Sequence, residues 1–284
     1  MSKKKKNSFI TLWSFISLVI VISIILFVFS FIFIKGFRVI NLNFLTKRPS
    51  GFPPGSEGGI YPAIMGTLYL VLISGVVASI LAISTSIYCR FYCTSKRYKA
   101  IISLCIQCIA GIPSIVLGLF GYSFLVLNLN LGKSLLSAGI TLGIMIFPYI
   151  EIRIEKLFNE IPKDMIEASY SLGVSKSYTI LKIVIPHSFR DIVSSITMAC
   201  GFAMGATSPI ILTGAVLSAP MPKSILSPFM ALPSHLYMLL GEGISVENAY
   251  GTTLVLLAMV LVLNIISLVL TIGKRSEDIN IEER

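Results

Sequence analysis

The sequence predicts an all-α membrane protein that crosses the bilayer six times. Of its 284 residues, 55% are hydrophobic and only 13% are charged, whereas soluble domains carry about 25% charged residues. Long uncharged stretches alternate with short basic blocks, and a helical span needs about 20 mainly apolar residues. A backbone surrounded by lipid must satisfy its own hydrogen bonds, which favours helices. The predicted spans are residues 10–34, 62–88, 100–127, 134–152, 192–216 and 248–272.

The first span follows a basic amino terminus, residues 1–9, that contains Lys3–Lys6. A signal peptide starts in the same way, but its apolar core is only about 7–15 residues long. Here the apolar stretch runs from Phe9 to Ile34. We therefore expect it to be retained as a membrane helix.

Two further segments without a predicted span lie between the helices. Residues 35–61 are rich in proline and glycine, which suits an exposed connector after the first span. Residues 224–241 are uncharged but are interrupted by Pro228 and Pro233 and contain His235. We expect this second segment to be an outer loop that packs on the bundle or partly re-enters the membrane.

The distribution of basic residues predicts the orientation of the chain. The net charge is +10, with 23 Lys and Arg, and basic residues accumulate on the cytoplasmic side of membrane proteins. With both termini inside, most of the basic residues are cytoplasmic, including those of 90–99, 153–190 and the tail 273–284. The pattern indicates a multi-pass protein of the inner membrane embedded in a lipid bilayer, and it argues against a nucleic-acid-binding surface.

The cytoplasmic stretch 153–190 is predicted to form a helix-turn-helix unit. Pro162 suits the start of a helix because its missing N–H is not needed there. Residues 163–172 are good helix formers, and Gly173 is suited to end that helix in a left-handed conformation. Such a compact unit at the membrane surface would transmit a push, whereas a flexible loop would absorb it.

The second helix of this unit is predicted over residues 176–185. Ser175 is a favourable N-cap for it. Pro186 is expected to end or kink the helix before the next span.

This stretch resembles the EAA loop of ABC-importer permeases. That loop has Glu-Ala-Ala, three residues, Gly, nine residues, Ile, one residue and Leu-Pro, and every spacing matches here, with Ser169 for the second Ala and Ile185 for Leu. The resemblance implies that the loop forms coupling helices that dock on the ATP-hydrolysing subunit. The matching positions are Glu167, Ala168, Ser169, Gly173, Ile183, Ile185 and Pro186.

Further motifs resemble PstA-type phosphate permeases within that family. They are Gly58–Ile64 with Gly66–Leu68, Gly111–Val116 with Gly118–Gly121, and Phe147-Pro148 followed by Glu155 and Pro162. The resemblance covers most of 41–272 and implies the type I importer permease fold. It also implies the partners: a homologous but different permease chain, a cytoplasmic ABC ATPase dimer and an extracytoplasmic phosphate-binding protein.

The same resemblance implies transport of inorganic phosphate by alternating access, with ATP used by the partner subunit. Gly132-Lys133-Ser134 matches the end of a phosphate-binding P-loop, but Leu127 stands where its first glycine is required. We therefore expect no ATP site, no cofactor and no enzymatic activity in this chain. His187 and His235 have no metal-ligating neighbours at suitable spacing, and we expect no metal or catalytic residues.

A path for phosphate needs hydrogen-bond donors such as hydroxyls and free backbone N–H groups. Broken membrane helices supply such groups. Gly111, Pro113 and Ser114 are predicted to break the third span, and Thr207 and Ser208 the fifth. Close packing of helices through small residues would explain the same residues, and both interpretations stay open.

One departure from the resemblance concerns the substrate. The phosphate permeases carry Arg and Glu in the fifth span at positions that correspond to Phe202 and Ala206 here, and we expect no charge inside any span. Three explanations stay open. The partner permease supplies the charges, the hydroxyl groups of this chain suffice to bind phosphate, or the substrate is another solute such as molybdate, sulfate or an amino acid. The remaining alternatives are a secondary transporter or channel and a transport-inactive phosphate sensor.

Overall fold

A computed structural model describes the backbone of residues 2–282 and the side chains of residues 10–271. Of the predicted terminal segments, Met1, Glu283 and Arg284 lie outside the described residues. The chain is mainly helical, as predicted, with one short antiparallel pair of strands, β1 (Pro49–Ser50) and β2 (Glu57–Gly58). The helices are α1 (Ser2–Phe37), α2 (Leu42–Thr46), α3 (Tyr61–Ile87), α4 (Lys96–Ala110), α5 (Ser114–Gly121), α6 (Leu135–Glu160), α7 (Lys163–Ser171), α8 (Lys176–Thr179), α9 (Ile185–Met204), α10 (Ser208–Thr213), α11 (Leu232–Gly241) and α12 (Val246–Glu282). Three π-helical turns follow α3, α5 and α8: π1 (Tyr88–Tyr92), π2 (Tyr122–Asn128) and π3 (Ile180–Val184).

Within the described residues, four helices are long and apolar enough to cross a membrane: Ile10–Phe37, Tyr61–Tyr92, Leu135–Glu160 and Val246–Thr271. They correspond to the first, second, fourth and sixth predicted spans. The third predicted span is instead a pair of helices, Lys96–Ala110 and Ser114–Asn128, bent by 97° as a broken span or a re-entrant loop. The number of spans rises to five if this pair counts as one.

The fifth predicted span, 192–216, differs most from its prediction. Here α9 begins at Ile185, so that His187, Arg190 and Asp191 lie in its first two turns, and the helix stops at Met204. A second short helix, α10, follows after a break at 205–207. Because of the polar start and the break, this segment does not qualify as a span by length and composition. The described residues therefore contain four or five candidate spans and not the six predicted.

The centre of the bundle is the contact between α3 and α6. Gly139 and Gly143 allow this contact, because a Cβ at these positions would lie 2.5 Å from Ile73 Cγ2 and 2.9 Å from Val77 Cβ, respectively. Helices in lipid associate through small residues that let the backbones approach closely. On its other positions α6 buries large aliphatic side chains completely, and these are Leu142, Ile146, Ile150 and Ile154.

One charged side chain, that of Glu151, is buried in the structure, which the sequence did not predict. Its side chain is only 1% exposed, and the buried Oε1 atom has no hydrogen-bond partner. The prediction placed this residue at the membrane boundary. Because α6 continues to Glu160 and packs along α3, Glu151 lies inside the helix pair, where Ser86 Oγ donates to its backbone carbonyl at 3.4 Å.

The two ends of the bundle are distinct. At one end, α6 and α9 are joined by residues 161–184, and the C-terminal part of α12 meets α9 where Ser194 Oγ lies 2.8 Å from Ser267 Oγ. At the other end, the start of α12 meets the end of α1, with the rings of Phe31 and Tyr250 5.7 Å apart. We call the first the loop end and the second the cap end.

The cap end is held together by hydrogen bonds between distant segments. Asn248 Nδ2 donates to the carbonyls of Gly55 and Ser56 at 2.9 and 3.1 Å, which fastens the β1–β2 turn to α12. The backbone N–H of Leu232 donates to Thr67 Oγ1 at 2.8 Å, which fastens α11 to α3. Residues 224–241 therefore pack on the bundle. This is one of the two arrangements expected from the sequence, the other being partial re-entry into the membrane.

Candidate functional site

The segment between α6 and α9 folds as two short helices with a glycine corner. Its first helix, α7, begins directly after Pro162. Gly173 has a φ of +75° and donates its N–H to the Tyr170 carbonyl at 2.9 Å. The left-handed conformation is open to glycine at little cost, which explains why the helix ends here. We call residues 162–184 the elbow.

The second half of the elbow starts as predicted and ends differently. Ser175 Oγ accepts a hydrogen bond from the Tyr178 N–H, so it caps α8. The helix then passes through π3 directly into α9. Pro186 is the second residue of α9 and directly follows π3 without an interruption of the helix, so it does not end the helix as one expectation had it.

A buried pair of hydroxyls joins the two arms of the elbow. Ser169 Oγ and Thr179 Oγ1 lie 2.8 Å apart, and the two side chains are buried. Thr179 Oγ1 also donates to the Ser175 carbonyl at 3.2 Å. The replacement of alanine by Ser169 thus creates a contact that sequence reasoning missed. Its only signal is a second small hydroxyl residue ten positions later.

The elbow presents a surface that points away from the bundle. Ile166 is buried on the inner side of α7, whereas Glu167 and Ala168 are exposed. Leu172, beside the glycine corner, is 82% exposed.

The elbow is fastened to α3 as well as to α6 and α9. Tyr92 Oη lies 3.3 Å from Ser177 Oγ, and the Lys176 ammonium lies 5.1 Å from the centre of the Tyr92 ring. Close by, Arg90 Nε donates to the Phe158 carbonyl near the end of α6 at 3.1 Å. Of the remaining predicted loop residues, Ile183 is half-buried and Pro186 is exposed. A displacement of the elbow would therefore be felt by three helices.

The first predicted helix break is present. The bend between α4 and α5 falls at Gly111–Pro113, where Pro113 has φ −56° and ψ 136° and precedes the first helical residue, Ser114. All four residues from Gly111 to Ser114 are exposed. The first N–H groups of α5 have no earlier helical carbonyl to bind.

The second predicted break is also present and lies against α5. Residues 205–207 separate α9 from α10, and Thr207 and Ser208 are half-buried. Gly118 of α5 touches the start of α10, since a Cβ there would lie 2.8 Å from Pro209 Cα. The two broken elements thus pack together, although Ser114 itself stays on the exposed side.

Two polar side chains outside these elements were not predicted as notable. Glu151 is the buried carboxylate described above. His235 of α11, at the cap end, is buried without a partner for Nδ1, and burial lowers its pKa from 6.5 to about 4. Within the described residues, no group of three or more His, Cys, Asp or Glu side chains is arranged to hold a metal ion.

The sequence places the chain in a known family. Residues 80–271 match the family described as binding-protein-dependent transport system inner membrane component. The chain belongs to this family, and it is a permease subunit of the ABC importer class.

Within this class the chain is similar to phosphate permeases. It is 30% identical over 213 residues to phosphate transport system permease protein PstA 1 of Mycobacterium tuberculosis, which covers 74% of this chain and 70% of that protein. It is 26% identical over 211 residues to phosphate transport system permease protein PstA of Mycobacterium leprae, which covers 74% and 69%.

The fold is also that of solved importers. A chain of the MetNI methionine ABC transporter in an inward-facing conformation superimposes with a TM-score of 0.60 at 17% identity, over 76% of this chain and 96% of the other. A chain of an amino acid ABC transporter crystallised with histidines gives 0.51 at 16%, over 76% and 92%. At this level of identity the similarity establishes the fold alone.

Proposed function

We propose that this chain is the permease subunit of an importer for inorganic phosphate. A homologous permease chain would complete the path, and an ABC ATPase dimer would dock on the elbow from the cytoplasm and use the ATP. A phosphate-binding protein would deliver the substrate at the cap end. Both termini would be cytoplasmic in an inner membrane crossed six times, with the α4–α5 and α9–α10 pairs each counting as one passage.

The observation that carries this proposal is the construction of the elbow. It follows α6 directly, runs into α9 without interruption and contacts π1, the continuation of α3, through Tyr92. A push on such a unit reorients three helices of the bundle together, whereas a flexible loop would dissipate it. In this mechanism Glu167 and Gly173 shape the docking surface and carry out no chemistry.

The phosphate assignment is supported by the similarity to the two PstA proteins and by the hydroxyl-bearing helix breaks. Phosphate is strongly hydrated, and donors such as Ser114, Thr207 and Ser208 would replace its water. A second candidate, a permease for another small solute such as sulfate, molybdate or an amino acid, is favoured by one observation. The resemblance to the phosphate permeases implies an Arg and a Glu in the fifth span, and this chain has Phe202 and Ala206 at the corresponding positions.

Reconstituted uptake distinguishes the two candidates. The chain, its partner permease and the ATPase are placed in liposomes with the binding protein outside, and ATP-dependent uptake of labelled phosphate is compared with that of sulfate, molybdate and an amino acid. We expect phosphate to be accumulated and the others not. Accumulation of a different solute would reject phosphate but keep the importer, and uptake that persists without the ATPase would reject the importer.

A further inference from the structure

The helices α6 and α9 run antiparallel and contact each other through pairs of side chains one helical turn apart. The rings of Tyr149 and Phe202 stack with their centres 6.0 Å apart and their planes inclined by 6°. Four residues later on α6 and four earlier on α9, Arg153 Nη1 contacts Met198 Sδ. We call the first pair the aromatic plate.

A cavity lined by both charged and apolar side chains begins directly beyond these pairs, toward the loop end. It has a volume of about 510 Å³ and is lined by Tyr149, Arg153, Lys156, Asp191 and Ser195, among others. Charges of both signs and a hydroxyl line it, so it is suited to hold water and hydrated ions.

The break between α9 and α10 lies on the other side of the plate. It begins at Gly205, less than one turn after Phe202, and both residues are exposed. Irregular backbone at membrane depth is tolerated only where protein covers it or where it lines a water-filled space. The plate thus lies between a stretch of backbone that needs polar surroundings and a cavity that provides them.

The plate does not belong to the packed core of this chain. Tyr149 is 47% and Phe202 60% exposed. Contact with lipid alone does not suit this strip, because Arg153 follows Tyr149 by one turn on the same helix and is exposed as well. Arg153 also lines the cavity, and a charged side chain prefers an aqueous space or another protein surface to lipid tails. The strip therefore borders an aqueous space or another protein surface.

We propose that Tyr149 and Phe202 form this chain's half of a constriction in the substrate path, between the 205–207 break and the inner cavity. The inference rests on the proposed function in that the strip must face a transport path. An apolar constriction excludes hydrated ions by shedding its water, so a hydrated anion passes only when the opposing surface moves away. The two rings act as positioning residues that seal the path, and they need not bind the substrate.

Accessibility of a thiol above the plate tests this inference without any measurement of transport. The five native cysteines are replaced by alanine, Thr207→Cys is introduced, and the assembled complex is studied in inverted membrane vesicles. A charged, membrane-impermeant methanethiosulfonate reagent is then added on the side of the elbow. Lys156→Cys, inside the cavity below the plate, reports that the reagent reaches the loop end.

With the plate intact we expect rapid labelling of the Lys156→Cys variant and slow labelling of the Thr207→Cys variant. Phe202→Ala should speed the labelling of the Thr207→Cys variant at least about tenfold, as expected when a barrier is lowered. Phe202→Leu, which keeps an apolar side chain, should leave it slow. Phe27→Ala, which removes an exposed ring from α1, is the matched control and should change nothing. Tyr149→Ala provides a second opening variant if Phe202→Ala does not insert.

Two results would overturn the constriction. One is labelling of the Thr207→Cys variant as fast as that of the Lys156→Cys variant while both rings are present. The other is unchanged slow labelling after both alanine substitutions. Failure of the proposed phosphate transport is recognised separately, since the intact complex would then accumulate no phosphate while the labelling pattern is unaffected.

Discussion

The elbow and the α4–α5 bend are both corners that glycine and proline make, and they differ in what surrounds them. At the elbow, Gly173 is held by its hydrogen bond to Tyr170, and a buried pair of hydroxyls joins the two arms. At the bend, a Cβ on Gly111 would meet nothing closer than the Gln107 carbonyl of its own helix, at 3.5 Å, and Gly111–Ser114 are exposed.

The difference shows which corner is complete within this chain. The elbow's two arms are joined by hydrogen bonds within the chain, as suits a part that transmits force. The bend leaves backbone groups exposed within an apolar segment, and lipid cannot form hydrogen bonds with them. Their hydrogen-bond partners must therefore come from another chain or from water. Substitutions at the elbow should therefore affect energy transfer, and substitutions near the bend should affect assembly and the path.

The largest effect is expected from Gly173→Pro. Proline fixes φ near −65°, far from the observed +75°, and it removes the N–H that binds Tyr170. Residues forced into unfavourable backbone regions cost about 1–3 kcal/mol. We expect ATP-dependent uptake to fall to background while membrane insertion, measured by protease protection, is unchanged.

Gly243→Pro is the matched control for this variant. Gly243 also has a positive φ, +64°, and a Cβ there would meet no atom within 4 Å. It lies in the turn between α11 and α12 at the cap end. Proline at this position should cause the same backbone strain but leave uptake per folded complex close to normal. Equal loss of uptake in both variants would contradict a special role of the elbow.

The contact between α5 and α10 offers the next largest effect. Gly118→Ala places a methyl group 2.8 Å from Pro209 Cα, and overpacking of this kind costs about 1–3 kcal/mol. Gly111→Ala adds the same methyl group at φ −85°, where its nearest neighbour is the Gln107 carbonyl at an ordinary contact distance of 3.5 Å, and it should be tolerated. We expect a lower melting temperature of the purified complex only for Gly118→Ala. A comparable loss for both variants would mean that the bend is packed as tightly as the contact between α5 and α10.

The hydroxyl pair in the elbow should have a smaller effect. Ser169→Ala and Thr179→Val each remove the hydrogen bond between the arms, which is worth about 1 kcal/mol. We expect fewer phosphate ions imported per ATP, and a double variant hardly worse than either single one, because both remove one interaction. Ser171→Ala, whose exposed hydroxyl donates only to Glu167 within α7, is the control. Additive losses would show that the two residues do not act through each other.

The contrast between the two corners also shows how much the sequence could predict. Pro162, Gly173 and Ser175 act through local backbone chemistry, so the corner of the elbow and the start of each arm were predictable. The breaks at Gly111–Pro113 and 205–207 followed from the same local signals. The course of the chain through π3 into α9 was not predictable, because Pro186 is equally suited to ending one helix or starting another.

Long-range pairing accounts for the rest. Nothing near Ser169 in the sequence indicates Thr179 as its partner, and the stacking of Tyr149 on Phe202 joins helices that are separated by the whole elbow. The burial of Glu151 depends on how far α6 continues past the predicted end of its span. The early start of the fifth span was missed because a window over 192–216 leaves out the polar first turns of α9, which begins at Ile185.

The smallest effect is expected at the cap end, where the buried His235 has no partner for Nδ1. Burial lowers the pKa of His235 to about 4, so the unfolded chain, with a pKa near 6.5, binds the proton more readily. Stability is therefore fully present above pH 6.5 and declines as the pH falls from there toward 4. Between pH 7.5 and 6 the loss should be below about 1 kcal/mol. It would be measured as a lower melting temperature that His235→Leu abolishes, because leucine has no proton to bind. If the melting temperature of that variant still fell with pH, the loss of stability would come from other groups. If the substitution also changed the amount of phosphate imported per ATP, the cap end and the elbow would not be independent.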